Sequence, residues 1–137
     1  MRINVLSLTV SLIFCLGSCQ DRKCDMFIPE GYELFWHDEF DGNALDTLSW
    51  TVETGGHGWG NAELQYYTGR KENVDVRDGH LVITAQKERY EDREFTSARL
   101  KTMGKVGFTY GYVVASIKLP STSDGLWPAF WMMGADI

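Results

Sequence analysis

The chain has 137 residues, a net charge of −6 and a composition that is 44% hydrophobic and 13% aromatic. This length favours a single domain, and the acidic balance argues against nucleic acid or an anionic membrane surface as the main partner. The three cysteines and three histidines show no Cys-x-x-Cys or His-x-x-x-His spacing. The sequence therefore predicts neither a thiol nor a zinc active site.

The first twenty residues have the features of a secretory signal. Arg2 precedes an apolar stretch, residues 5–16, that is too short to span a bilayer. The next residues complete the sequence Leu-Gly-Ser-Cys, ending at Cys19, which resembles the lipobox of bacterial lipoproteins. We therefore predict a lipoprotein signal over residues 1–19, lipid on Cys19, export across the inner membrane, and anchoring at the outer membrane or cell surface. An ordinary signal peptide or a plain hydrophobic N-terminus is the alternative.

Residues 20–30 are polar, contain Pro29 and are predicted to form a tether. On the lipobox interpretation Cys15 is removed with the signal and Cys19 carries the lipid, so Cys24 remains in the tether. If that interpretation is wrong, Cys19 and Cys24 could form a disulfide in an oxidising compartment.

From residue 31 onward, short alternating segments separated by turn residues predict β-strands. Fourteen glycines and the lack of an amphipathic helical pattern favour an all-β fold, an antiparallel β-sandwich. An Asp-Gly turn precedes residue 80, and the mixed-charge run at residues 86–94 is interpreted as a solvated hairpin tip. The predicted strands cover residues 32–36, 80–86, 94–102, 105–120 and 126–133.

The last predicted strand is too apolar to lie at an exposed edge. It contains Trp127, Phe130 and Trp131, and an unpaired edge of this kind favours aggregation. Pro128 within it is tolerated only at an edge or a bulge. The sequence therefore predicts an incomplete sandwich and a chain that folds poorly by itself.

Residues 55–68, with the sequence GGHGWGNAELQYYT, form a glycine-rich loop followed by a polar and aromatic segment. Glycines let the backbone approach a ligand closely, while Trp59 and Asn61 offer stacking and hydrogen bonding. A long connection whose aromatic side chains pack on the sheet is an equally good interpretation.

Arg99 lies in the alternating segment SARLKT, on the same strand face as Ser97 and Lys101. An arginine in this position could hold a sugar hydroxyl or a carboxylate in a fixed fork. Taken alone, the segment favours the alternative of a solvated strand face.

Four segments together carry a family resemblance: WHDEFDG, GWGNAELQYYT, SARLKTMGKVGFTYGYVVASIKLP and GLWPAFWMMG, in that order. They are similar to the N-terminal part of glycoside hydrolase family 16, in its laminarinase (endo-1,3-β-glucanase) branch, over about residues 32–134. The resemblance implies a jelly-roll, concanavalin A-like sandwich with a glycan cleft across its concave sheet. The partner would be a β-1,3-glucan such as laminarin, with mixed-linkage glucans and galactans as alternatives.

The resemblance also implies roles for individual side chains. Asn61 and Arg99 would reach sugar hydroxyls, and Trp127 and Trp131 would line the cleft as stacking platforms. Trp59 of the glycine-rich loop would be a further substrate-binding residue. A purely structural role for the two cleft tryptophans is the alternative.

The acidic turn at residues 37–42 is not predicted to be catalytic. In the family this region lies on the convex side near a bound calcium, so the resemblance implies that Glu39 and the carbonyl of Gly79 are calcium ligands. A plain solvated turn is the alternative. No other cofactor is expected.

The family's catalytic carboxylates lie on a strand with the pattern Glu-x-Asp-x-(x)-Glu, which follows the segment GLWPAFWMMG in the family. This pattern is absent from the chain, so we predict no catalytic residue in it. We expect residues 31–137 to be the N-terminal part of the catalytic domain of a monomeric, retaining endo-β-glucanase, inactive without that strand. A non-catalytic glycan-binding lipoprotein and a degraded gene product are the alternatives.

Overall fold

A computed structural model of the chain describes residues 28–121 and 125–135. The predicted signal, Cys19 and most of the predicted tether lie outside the described residues. Within the described part, no helix has the length and apolar character needed to cross a bilayer. The regular elements of that part are β1 (Thr51–Glu53), a 3₁₀ turn (Gly58–Gly60), β2 (Tyr66–Tyr67), β3 (Val74–Arg77), β4 (His80–Ile83), β5 (Thr96–Ser97) and β6 (Arg99–Lys101).

The strands pair two by two. β1 pairs with β6 and β3 pairs with β4, both antiparallel, whereas β2 runs parallel to β5 over two residues. Tyr67 at the end of β2 also forms an antiparallel bridge with Gly55, which attaches the glycine-rich loop to the strands. The prediction of an all-β chain is confirmed by this arrangement.

The hairpin between β3 and β4 turns at Asp78 and Gly79, where the sequence predicts a turn. Their φ angles are +54° and +72°, and the flanking residues Arg77 and His80 are direct partners. Two-residue hairpin loops of this kind need positive φ at both positions, which an Asp-Gly pair adopts at low cost. The strand predicted from residue 80 is confirmed over its first four residues.

The most deeply buried side chains of the described part are polar. Thr68, Asn73 and Thr96 are at most 2% exposed. Asn73 Oδ1 accepts hydrogen bonds from Thr68 Oγ1 at 2.5 Å and from Arg70 Nη2 at 3.0 Å. Asn73 Nδ2 donates to Thr96 Oγ1 at 2.9 Å and to the Thr84 carbonyl at 3.1 Å. Because each polar atom of this buried amide has a partner, the network can stabilise the junction between β2, β4 and β5.

The mixed-charge run at residues 86–94 contributes a side chain, Glu88, to the same network. A short antiparallel bridge inside the run forms the predicted hairpin tip. Glu88, however, points inward, where it pairs with Arg70 and accepts a hydrogen bond from Thr96 Oγ1 at 2.5 Å. The tip is therefore anchored by an ion pair at its base, and only part of the run is solvated.

Three predicted strands, residues 32–36, 105–120 and 126–133, form no β-ladder within the described part of the chain. A strand is defined by the partner that takes up its N–H and C=O groups, and apolar alternation alone does not supply one. The side chains of these segments are largely exposed, with Tyr110 at 93% and Trp127 at 90%. The prediction that these three segments are β-strands is therefore wrong for the residues that the structure describes.

Candidate functional site

The register of the β1–β6 pair places Glu53 directly opposite Arg99. Arg99 Nε donates a hydrogen bond to Glu53 Oε2 at 2.7 Å, and Lys101 Nζ donates to Glu53 Oε1 at 2.5 Å. Each oxygen of one carboxylate thus binds one cation. The Glu53 side chain is 17% exposed and that of Arg99 is 24% exposed, so these charge-assisted bonds are partly shielded from water. The predicted common face of Arg99 and Lys101 is confirmed.

The two cations determine the charge state of Glu53. Burial raises the pKa of the Glu53 carboxyl, but the hydrogen bonds and charges of Lys101 and Arg99 outweigh it and hold that pKa below its ordinary value. Glu53 is therefore ionised near neutral pH. A general acid needs a carboxyl whose pKa is raised, so Glu53 is unsuited to donate a proton to a leaving group.

The Arg99 guanidinium also contacts two tryptophan rings. Its Cζ atom lies 5.6 Å from the ring centroid of Trp59 and 5.5 Å from that of Trp131. Both distances are within the range of about 6 Å in which cation–π attraction is significant. Three of the five predicted substrate-binding residues, distant in sequence, are thereby brought together.

The glycine-rich loop presents Trp59 through a run of left-handed residues. Gly58 and Gly60 have φ angles of +78° and +79°, values that glycine adopts without strain. Trp59 between them also has a positive φ, +42°. The Trp59 ring stacks on His57 with centroids 3.8 Å apart and meets the Tyr67 ring edge-on at 4.9 Å. One face of the Trp59 indole is therefore covered by the imidazole.

A second carboxylate, Glu63, lies beside the guanidinium. Its Oε1 atom is 3.9 Å from Arg99 Nη1, and its Oε2 atom accepts hydrogen bonds from Tyr67 Oη at 2.6 Å and Gln65 Nε2 at 3.2 Å. Burial and the hydrogen bond to Glu63 raise the pKa of Tyr67, so the phenol keeps its proton and remains a donor. We refer to the following residues as the Arg99 cluster: Glu53, Trp59, Glu63, Gln65, Tyr67, Arg99, Lys101 and Trp131.

The two remaining predicted binding residues lie at the surface. The Asn61 side chain is exposed, and its backbone N–H donates to the Gly58 carbonyl at 2.9 Å. Trp127 is 90% exposed, whereas Trp131, four residues later, reaches Arg99. The structure thus joins Trp131 to the cluster and leaves Asn61 and Trp127 outside it.

The residues predicted to bind calcium are not surrounded by further carboxylates. Glu39 lies 3.6 Å from His37 Nδ1, and the neighbouring Asp38 accepts a hydrogen bond from Trp50 Nε1 at 2.8 Å. In the part of the chain that the structure describes, no three Asp, Glu, His or Cys side chains form a group that could hold a metal. Calcium at Glu39 and Gly79 stays a prediction.

Four members of the Arg99 cluster were not predicted from the sequence: Glu53, Glu63, Gln65 and Tyr67. No pattern in the neighbouring sequence identifies Glu53, because it lies 46 residues from Arg99. The two side chains meet only because β1 and β6 pair in this register. A signal does exist for the other three. Glu63, Gln65 and Tyr67 alternate along one segment, and residues at a period of two share one face of an extended chain.

Comparisons with known proteins agree on the family. The family model described as beta-glucan synthesis-associated protein SKN1/KRE6/Sbg1 matches residues 23–136. The beta-glucanase of Rhodothermus marinus is 54% identical over 137 residues, which covers 97% of this chain and 46% of that protein. The X-ray structure of the laminarinase from Rhodothermus marinus matches with a TM-score of 0.56 and 59% identity, over 58% of this chain and 32% of that one.

A crystal structure of SCLam, described as a non-specific endo-beta-1,3(4)-glucanase from glycoside hydrolase family 16, matches with a TM-score of 0.57 and 44% identity. It covers 63% of this chain and 36% of that one. The chain belongs to glycoside hydrolase family 16. The laminarinase-like resemblance and the jelly-roll fold class are confirmed by these glucanases. The chain spans less than half the length of the beta-glucanase that it matches.

Proposed function

We propose that the protein hydrolyses β-1,3-glucan and that this chain supplies part of its glucan-binding surface, centred on the Arg99 cluster. The observation that carries the proposal is the contact of one guanidinium with two indoles, at 5.6 Å for Trp59 and 5.5 Å for Trp131. A pyranose has apolar C–H faces and a polar rim, so flat aromatic rings beside fixed N–H donors match it. The names of the related beta-glucanase and laminarinase support this substrate class.

The cluster has hydrogen-bond donors and aromatic surface that its own contacts do not use up, as a sugar-binding role requires. A guanidinium has five N–H donors, of which Arg99 uses one on Glu53, while Glu63 lies near another. Tyr67 also interacts with the guanidinium, and the donors that these partners do not occupy can bind sugar hydroxyls. Trp131 is 54% exposed and has no ring stacked on it among the described residues, whereas His57 stacks on one face of Trp59. We therefore assign sugar stacking first to Trp131, with Asn61 and Trp127 as outer contacts.

The chemical step requires groups beyond the Arg99 cluster. Retaining hydrolysis uses two carboxyl groups about 5–5.5 Å apart, one of which must act as an acid. Glu53 is bound to two cations, and the pattern Glu-x-Asp-x-(x)-Glu is absent from the printed sequence. The role that we propose for the described residues is therefore binding. The second candidate, a glucan-binding protein without catalysis, would use the same contact of Arg99 with Trp59 and Trp131.

We further propose that the protein is exported as a monomeric lipoprotein whose only membrane contact is the lipid on Cys19. The sequence Leu-Gly-Ser-Cys after the apolar stretch supports this proposal. Metabolic labelling with an alkyne fatty acid should label the membrane fraction of the wild-type protein. Cys19→Ala should lose the label, and retention of the label would contradict lipidation at that residue.

The binding role is tested by measuring the affinity of the chain for laminarin by calorimetry. Arg99→Ala and Trp131→Ala should each weaken binding at least about tenfold, which corresponds to about 1.4 kcal/mol. The matched control is Leu48→Ala, because Leu48 is 85% exposed and lies outside the cluster. Dextran, an α-linked glucan, should not compete. Unchanged affinity in both cluster variants would show that laminarin binds elsewhere.

A further inference from the structure

We propose that Glu53 is the positioning residue of the glucan-binding surface: it holds the Arg99 guanidinium against Trp59 and Trp131. This inference rests on the proposed function, since it concerns the same surface. Glu53 does not need to touch the sugar. It acts through Arg99, whose Nε it binds at 2.7 Å from the directly opposite position on β1.

The first step of the argument is the charge on β6. Arg99 and Lys101 are both cationic and lie on the same face of that short strand. Like charges this close repel unless an anion lies between them. Glu53 is that anion, because its two carboxylate oxygens bind the two cations separately.

The second step is conformational freedom. An arginine side chain loses rotamer entropy when it is fixed, and a group that is already fixed before the ligand arrives binds more tightly. Glu53 removes that freedom by binding Nε, and this ion pair does not use the terminal nitrogens of Arg99. Loss of the anchor would leave the guanidinium free to move away from the two rings.

The third step is that Glu63 cannot replace Glu53. The distance from Glu63 Oε1 to Arg99 Nη1 is 3.9 Å, which is longer than a hydrogen bond. The other oxygen of Glu63 already accepts hydrogen bonds from Tyr67 and Gln65. In the absence of Glu53, attraction by Glu63 would draw Arg99 to a different position.

The chain also contains a matched control. Arg70 pairs with Glu88, and its Cζ atom lies 4.5 Å from the ring centroid of Tyr90. Carboxylate, guanidinium and aromatic ring thus recur outside the Arg99 cluster. The variant Glu88→Gln removes an equivalent charge from the fold, and Glu88 lies outside the Arg99 cluster.

The test is a double-mutant cycle on laminarin affinity in the full chain. Glu53→Gln should weaken binding about tenfold in the wild-type background and by less than about twofold in the Arg99→Ala background. Glu53→Asp, which keeps the charge, should recover part of the loss, and Glu88→Gln should bind within about twofold of wild type. Equal losses from Glu53→Gln in both backgrounds, or no loss in either, would overturn the positioning role.

A ligand-free measurement separates this inference from the proposed function. The Arg99 Nε–H proton signal, assigned by its loss in Arg99→Ala, should exchange slowly with solvent in wild type and in Glu88→Gln. It should exchange rapidly in Glu53→Gln and at an intermediate rate in Glu53→Asp. If wild type shows this protection but does not bind laminarin, the binding proposal fails and the positioning of Arg99 stands. A signal equally protected in Glu53→Gln would overturn the positioning of Arg99.

Discussion

Glu53 Oε2 lies 2.7 Å from Arg99 Nε, although 46 residues separate the two in the sequence. The pair forms across the β1–β6 ladder, in which Glu53 and Arg99 are direct partners. Arg99 in turn contacts Trp59 and Trp131. One ion pair therefore connects the pairing of two strands to the aromatic surface that we propose binds glucan.

Because of the Glu53 ion pair, we expect part of the free energy of unfolding to be lost at acidic pH. Because the folded-state pKa of Glu53 is lowered, its contribution is present above the unfolded pKa of about 4.3 and is lost as the pH falls through the folded pKa. Glu53→Gln should therefore be less stable than wild type by about 1–3 kcal/mol at pH 7. This difference should shrink as the pH is lowered below about 4.3. Urea unfolding between pH 3 and 7 measures it.

The control for this experiment is Glu94→Gln, because Glu94 is exposed. Its stability should follow that of wild type within about 0.5 kcal/mol at every pH. If the difference in unfolding free energy between wild type and Glu53→Gln were the same from pH 3 to pH 7, the substitution would act through packing and not through the charge of Glu53.

Asn73 is expected to be the most sensitive polar position in the described part of the chain. Its amide is fully buried and has four hydrogen-bond partners. Asn73→Ala leaves buried donors and acceptors unpaired, which should cost about 2–4 kcal/mol of unfolding free energy. Asn73→Asp keeps the acceptor but loses the two donated bonds, so it should also destabilise. A cost below about 0.5 kcal/mol, the level of a surface substitution, would contradict the role of this network.

The sequence predicted those structural features that depend only on residues close together in the chain. The Asp78–Gly79 turn follows from the conformations that these two residues tolerate, and the common face of Arg99 and Lys101 follows from alternation along one strand. The partners of Arg99 could not be predicted in the same way. Glu53 depends on the register between two distant strands, which a single sequence does not reveal.

Hydrophobicity was a poor guide both to the core and to the strands that pair. The side chains at or below 2% exposure are polar ones, namely Thr68, Asn73 and Thr96, and their burial depends on mutual hydrogen bonds that no apolar pattern indicates. Conversely, the apolar segments 105–120 and 126–133 form no ladder among the described residues. Alternation predicts which residues share a face, but it does not identify the strand that pairs with them.

Gly56 should tolerate no side chain. A Cβ atom at this position would lie 2.8 Å from Tyr66 Cδ2 and 3.3 Å from Arg93 Cγ, and Arg93 Nη2 donates to the Gly56 carbonyl. Gly56→Ala should therefore destabilise the fold by about 1–3 kcal/mol through overpacking. Because the same loop presents Trp59, laminarin affinity should fall as well. Urea unfolding and calorimetry measure the two effects.

Gly107 provides the comparison for that substitution. A Cβ atom there would meet nothing within 4 Å, so Gly107→Ala should change the unfolding free energy by less than about 0.5 kcal/mol. If the two alanine variants were equally stable, the close packing between Gly56 and Tyr66 would not be a feature of the chain in solution.

The chain should bind laminarin without cleaving it. Retaining hydrolysis needs a carboxyl group that can act as an acid, whereas Glu53 has a lowered pKa and two bound cations. The pattern Glu-x-Asp-x-(x)-Glu is absent from the 137 residues. An assay for new reducing ends, with a family 16 laminarinase as the positive control, should therefore detect no release from laminarin. Release that is abolished by Glu63→Gln but retained in Arg99→Ala would instead identify Glu63 as a catalytic carboxylate and turn the proposed binding surface into an active site.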